Sequence, residues 1–278
     1  MFPGASAPRE DAEYVVVGAP LDVSTSFQPG TRFGPDRIRT FAETFDDYDG
    51  RTDLHFSDLA VHDQGDIHTW NDVPDYIKHL SGVLRDVAWD DAVPLLLGGE
   101  HTVSAAGVRA TDPDLFVTID AHLDLREAYD GDEWSHACVT RRVLETAEEA
   151  IVVGARTGSE AEWERAAAGD VTVVPPEEVG GWLRAIADGE RDPFSRKSTY
   201  LSVDIDGADP AFAPGTGTME PFGLTSREMC GVVRAVAPHS IGCDVVEVND
   251  RDDGQAAALG GKLLRAFVYE RAAAQQDR

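Results

Sequence analysis

The feature that most constrains this chain is an alternation. Short runs rich in β-branched and aliphatic residues recur at "YVVVGAP" (14–20), "LAVHD" (59–63), "PLLLGG" (94–99) and "LFVTIDA" (115–121). They continue at "AIVVGAR" (150–156), "VTVV" (171–174), "TYLSVDID" (199–206) and "SIGCDVVEV" (240–248). Between most of them lie stretches with helical spacing, such as "VPDYIKHLSGVLRDVAWDDA" (73–92), "SEAEWERAAAGD" (159–170), "SREMCGVVRAVAPH" (226–239) and "GQAAALGGKLLRAFVYERAAA" (254–274). Near-continuous apolar strands are buried on both faces, and parallel neighbours need crossovers long enough to hold a helix. The alternation therefore predicts a mainly parallel sheet of about eight strands covered by helices on both sides, a three-layer α/β/α fold. No internal repeat, low-complexity linker or composition break divides the chain. Residues 1–12 read as a flexible N-terminal tail and 13–278 as a single domain, with "GWLRAIADGERDPFSRKS" (181–198) the most loop-like interior segment.

That fold class places the function. Ligands of open parallel sheets bind beyond the carboxyl ends of the strands, and polar chemistry collects there. "PLLLGGEH" delivers His101, "LFVTIDAHLD" delivers Asp120, His122 and Asp124, "TYLSVDIDGADP" delivers Asp204, Asp206 and Asp209, and "CDVVEVND" delivers Glu247. Alternate residues of an extended chain face the same side, so Asp-x-His-x-Asp and Asp-x-Asp each aim metal ligands in one direction. With 51 Asp+Glu in 278 residues, acidic clusters also arise by chance. Four strand ends with this chemistry on one rim favour converging ligands.

Charge excludes other partners. The formal net charge is −27, from 51 acidic against 24 basic residues, and lysine occurs only at Lys78, Lys197 and Lys262. Phosphate recognition needs basic residues, so neither nucleic acid nor an anionic membrane is an expected partner. Such a surface suits a halophilic protein in high salt, where screening shortens like-charge repulsion to about 3 Å at 1 M. Cys138, Cys230 and Cys243 are odd in number and widely spaced, which suggests no disulfide framework. No apolar run approaches the roughly 20 residues needed to span a bilayer, and the start lacks a basic end followed by an apolar core. A cytoplasmic protein is expected.

Taken together, the segments resemble the ureohydrolase family of arginases and agmatinases, over nearly the whole chain. "GGEH" is similar to the family's Gly-Gly-Asp/Glu-His element and "DAHLD" to its Asp-Ala-His-x-Asp element. "SVDIDGADPAFAPGTGT" follows its Ser-x-Asp-x-Asp-x-x-Asp-Pro-x-x-x-Pro-Gly-Thr-Gly-Thr segment almost residue for residue. Upstream, "TSFQPGTRFGPDRIR" (25–39) resembles the family's N-terminal glycine-rich loop and "DQGDI" (63–67) its Asp-x-Gly-Asp element. The resemblance implies an arginase-type fold with two manganese ions (Mn²⁺). His101, Asp120, Asp124 and Asp204 would hold one, and Asp120, His122, Asp204 and Asp206 the other. Carboxylates and imidazoles without thiolate suit Mn²⁺ better than structural zinc.

The implied reaction is hydrolysis of a guanidinium to urea and an amine, with Asp124 as acid–base carboxylate and His136 as a proton shuttle near the rim. Glu247 would bind the guanidinium through both oxygens, and Thr218 would add a contact. A small guanidino amine is the expected partner, with agmatine ahead of aminopropylagmatine, guanidinobutyrate and arginine. The loop "LREAYDGDEWSHA" (125–137) resembles the agmatinase version, and its Glu127, Asp130, Asp132 and Glu133 are expected to repel a carboxylate and attract a distal ammonium. A homo-oligomer, trimer or hexamer, is implied as well. Two other classes are weighed. A catalytically silent metal-binding paralogue has no feature in its favour, because every ligand type is present. A single-zinc deacetylase of related fold is opposed by the full second set of carboxylates. Met219, Phe222 and Asp250 depart from the commonest family pattern, which bears on pocket shape.

Overall fold

The computed structural model describes residues 1–276. Its main sheet has eight strands in the order β4-β1-β5-β10-β9-β6-β7-β8, every pairing parallel. They are β1 (Tyr14–Ala19), β4 (Val61–Asp66), β5 (Val93–Gly98), β6 (Leu115–Ile119), β7 (Glu149–Val153), β8 (Val171–Val174), β9 (Thr199–Asp204) and β10 (Ser240–Val246). A small antiparallel hairpin, β2 (Tyr48–Asp49) and β3 (Leu54–His55), stands apart. The helices are α1 (Gly34–Ala42), α2 (Val73–Trp89), α3 (Ser104–Thr111), α4 (Val139–Val143), α5 (Glu160–Ala166), α6 (Pro176–Ala187), α7 (Ser226–Val236) and α8 (Gln255–Gln276).

Alternation along each strand sorts its side chains into two cores. Val16, Leu95, Val117 and Leu201 join the one covered by α1, α6, α7 and α8. Val15, Leu96, Phe116 and Tyr200 join the one covered by α2 to α5. Each fully buried side chain of this size contributes about 1.5–3 kcal/mol. The expected three layers are observed.

Chain order explains where the site lies. The chain lays down β1, β4 and β5 on one side, jumps to β6, β7 and β8 on the other, and returns to insert β9 and β10 between the halves. The carboxyl ends of β5, β10, β9 and β6 thus stand side by side, at a reversal of strand order of the kind that opens a crevice. Gly99 lets the chain leave β5 tightly: a Cβ there would lie 1.8 Å from the Leu21 carbonyl oxygen. A larger residue would push away the backbone that carries His101.

Three local expectations are corrected. The segment 181–198 is helical in its first part, because Val179 and Trp182 on α6 are buried in the core and Leu183 and Ile186 pack against it at helical spacing. The stretch 25–39 ends in α1, started by Pro35 in the first turn, where a missing N–H costs nothing. Residues 1–12 are docked. Phe2 is buried against Phe56, its backbone N–H donates to Asp63, and Ala7 donates to the Val61 carbonyl at 3.0 Å. Asp63 also accepts from Arg39 Nε and Nη2 at 2.8 and 2.9 Å, so the buried carboxylate is fully paired.

Candidate metal centre

All six residues expected as ligands come together at the adjoining strand ends. His101 follows β5, and its Nδ1 lies 3.1 Å from Asp120 Oδ2, 3.1 Å from Asp124 Oδ2 and 3.3 Å from Asp204 Oδ2. His122 Nδ1 lies 3.0 Å from Asp206 Oδ2 and 3.6 Å from Asp120 Oδ1. Two groups that can hold a metal ion result, His101–Asp120–Asp124 and Asp120–His122–Asp206, and Asp120 belongs to both. Strand alternation accounts for Asp120 and His122. Asp124 instead stands at a left-handed backbone position (φ 50°), as does Glu247 (φ 61°). Such conformations are uncommon outside glycine and cluster at functional sites.

The set is buried and electrostatically frustrated. His101 and Asp120 are inaccessible, and Asp124, Asp204 and Asp206 nearly so. Asp120 Oδ2 is buried without a hydrogen-bond donor. Burial pushes Asp124 up to about 6, with the Asp120 charge adding to it. Asp204 is raised for the same reason, with Asp206 and Asp120 adding to burial. Burial opposes charge on His122, yet Asp206 and Asp120 raise it to about 12. So many buried carboxylates around two imidazoles call for a cation. The oxygen-rich, thiolate-free donor set fits a hard divalent ion.

Behind the ligands runs a relay not anticipated from sequence. His101 Nε2 lies 3.0 Å from Ser202 Oγ, which donates to Asp244 Oδ1 at 2.6 Å. This fixes the ring with Nδ1 toward the carboxylates, the usual way a ligand histidine is oriented. The signals were present. Ser202 stands two before Asp204 on the same side of β9, and Asp244 is a lone acid inside an apolar strand.

His136 lies deeper than expected, beside Glu247. His136 is 7% exposed, so it is a cavity-wall residue rather than a rim residue. The Ser26 backbone N–H donates to its Nε2 at 2.9 Å, which makes Nδ1 the donor to Glu247 Oε1 at 3.0 Å in the neutral ring. Glu247 Oε1 also accepts the His101 backbone N–H at 2.8 Å, while Oε2 is buried without a donor. One oxygen is thus already used and the other is unpaired, and Glu247 itself does not border the cavity that opens over the site. Glu100 accepts from Ser24 N and Oγ at 3.0 and 2.6 Å, anchoring the loop that carries Ser26. Burial pushes Glu100 up to about 8. Thr218 Oγ1 donates to Asp206 Oδ2 at 3.1 Å.

A cavity of about 260 Å³ opens over this floor, bordered by Asp124, His136, Asp204, Asp206, Thr218 and, at its outer wall, Arg126. None of Glu127, Asp130, Asp132 and Glu133 lines it; all four are exposed. A turn closed by Tyr129 and Asp132 faces them to solvent, and Asp132 spends its carboxylate on the Trp134 N–H at 2.8 Å. Trp134 packs under Arg109, whose Cζ is 4.7 Å from its ring, away from the metal cavity. Arg156 donates to the carbonyls of Asp206, Gly207, Ala208, Glu220 and Pro221, and thereby ties the Asp206 loop to the segment after Thr218. Asp209 orients that segment, accepting from Phe222 and Gly223 N–H at 2.8 and 3.1 Å. Phe222 is 87% exposed at φ 67°, and Met219 is also exposed; neither borders the cavity.

Comparison with known proteins agrees with this geometry. The model of the arginase family matches residues 12–269. An agmatinase of Pyrococcus horikoshii is 32% identical, covering 92% of this chain and 90% of its own. An N(1)-aminopropylagmatine ureohydrolase of Thermococcus kodakarensis is 33% identical, covering 92% and 89%. The crystal structure of agmatine ureohydrolase of Thermoplasma volcanium superposes with a TM-score of 0.92 at 33% identity, covering 100% of this chain and 96% of that one.

Proposed function

We propose, from the premise that this chain belongs to the arginase family and is a ureohydrolase, that it cleaves agmatine to urea and putrescine with two manganese ions. The observation that carries the reading is the pair of His/Asp groups joined through Asp120 on one buried floor. His101, Asp120, Asp124 and Asp204 would hold one ion and Asp120, His122, Asp204 and Asp206 the other. When bound, such ions would make a water more acidic at neutral pH and would stabilise negative charge developing in the transition state.

The chain's own residues do the rest. The unpaired Oε2 of Glu247 accepts an N–H of the guanidinium, and Thr218, which borders the cavity, keeps Asp206 in place. Asp124 takes the proton of the attacking water and returns it to the departing nitrogen, a role suited to a carboxylate that belongs to a metal group and also borders the cavity. His136, between Ser26 and Glu247 on the cavity wall, carries protons between solvent and the floor.

Agmatine is the first substrate because two of the relatives are named for it or its aminopropyl derivative. Arg126 in the cavity wall favours a second reading, a guanidino acid such as 4-guanidinobutanoate. Urea release from agmatine, aminopropylagmatine, 4-guanidinobutanoate and arginine, with and without Mn²⁺, tests both. Urea from none of them would sink the reading; equal or faster release from 4-guanidinobutanoate would reassign the substrate.

Among the described residues no helix is long and apolar enough to cross a membrane. The proposal extends to a cytoplasmic, halophilic homo-oligomer, supported by the net charge of −27, whose screening in molar salt would let like-charged subunits associate. Light scattering and activity across a salt series check this, and an active monomer in dilute buffer would refute it.

A further inference from the structure

We propose that Arg126 reads the far end of the substrate and biases the cavity toward tails that offer an acceptor or a negative charge, against tails that end in an ammonium. This rests on the guanidine-hydrolysis reading above. The left-handed turn at Asp124 buries Leu125, at 2% exposure, and leaves Arg126 on the cavity wall. There its Nη2 lies 3.2 Å from Glu162 Oε2, and its Cζ lies 5.5 Å from the centre of the Tyr129 ring. The guanidinium is held in place from two sides.

The acid beside it cannot do the reading. Glu162 Oε2 already accepts from Ser159 N and Oγ at 2.8 and 2.7 Å besides pairing with Arg126, and Oε1 accepts the Leu125 N–H at 3.3 Å. Each carboxylate oxygen has about two acceptor positions, so Oε2 is fully used and only one position on Oε1 remains. Its side chain is also only 5% exposed, against 36% for Arg126. A substrate tail therefore meets guanidinium N–H groups, and no other arginine or lysine among the described residues borders the cavity. A carboxylate tail finds charge-assisted donors there. An ammonium tail meets a like charge and must displace Arg126 to reach any acid at that wall.

Agmatine and 4-guanidinobutanoate share the reacting group and differ in charge at the far end. The test is kcat/KM for each, with Mn²⁺, in the wild type, Arg126→Gln and Arg126→Lys. Gln keeps a donor for Glu162 while removing the charge. The ratio of agmatine to 4-guanidinobutanoate should rise at least about fivefold in Arg126→Gln, chiefly through KM, since the contact is remote from the bond that breaks. Arg126→Lys keeps the charge but not the planar fork, and should move the ratio less than Arg126→Gln does. An unchanged or falling ratio in Arg126→Gln, with the wild type active on either compound, overturns the role of Arg126 and leaves the reaction standing. A wild type that releases urea from neither compound overturns the reaction, and this inference with it.

Discussion

At the floor of the cavity, four buried carboxylates surround a buried imidazole and a half-buried one, whereas at its wall one arginine stands 36% exposed between a buried glutamate and a tyrosine. The floor is assembled by the sheet. The proposed ligands sit at or just beyond the ends of three strands, β5, β6 and β9, and strand geometry leaves little freedom for where most of them point. The wall is assembled by loops, with Arg126 placed by a turn after Asp124 and held by a residue from the first turn of α5. A rigid floor should fix the reaction, and a looser wall should tune which molecule undergoes it.

If that division holds, substitutions on the floor should abolish turnover and those at the wall should shift preference. Asp124→Asn removes a proposed ligand and proton acceptor together, and should lower urea production about a thousandfold or more with the fold intact. Near-normal turnover at full metal occupancy would break the comparison at its stronger side. His136→Ala should cost roughly 10- to 100-fold, be partly rescued by imidazole and alter the pH–rate profile. An unchanged profile would leave His136 a packing residue. Ser202→Ala cuts the His101 relay without touching a ligand, and should weaken manganese binding by about tenfold, at the lower end for outer-shell partners. Metal titration followed by calorimetry measures that directly, and an unaltered affinity would limit the floor to its six ligands.

The same contrast explains what was legible in sequence. The proposed ligands His101, Asp120, His122, Asp124, Asp204 and Asp206 could be read because each lies at or within five residues of the end of an apolar run, and such runs give the sheet. The relay through Ser202 and Asp244 was readable in principle, but a serine and an acid within a strand gain meaning only when β5, β9 and β10 are known to be neighbours. The wall was not readable. Glu127, Asp130, Asp132 and Glu133 looked like its charge, yet a local turn faces them outward, while Arg126 faces in because Leu125 beside it must be buried. The docked N-terminus was missed for a related reason: Phe2 has no periodic partners, only a distant pocket at Phe56.

Manganese titrated into chelator-treated protein, with bound metal and urea release from agmatine followed in the same samples, tests the central claim most directly. Two buried groups sharing Asp120 should take up two ions per chain, with urea release appearing only as the second is filled. One ion per chain at saturation, or full urea release without bound metal, would contradict the account.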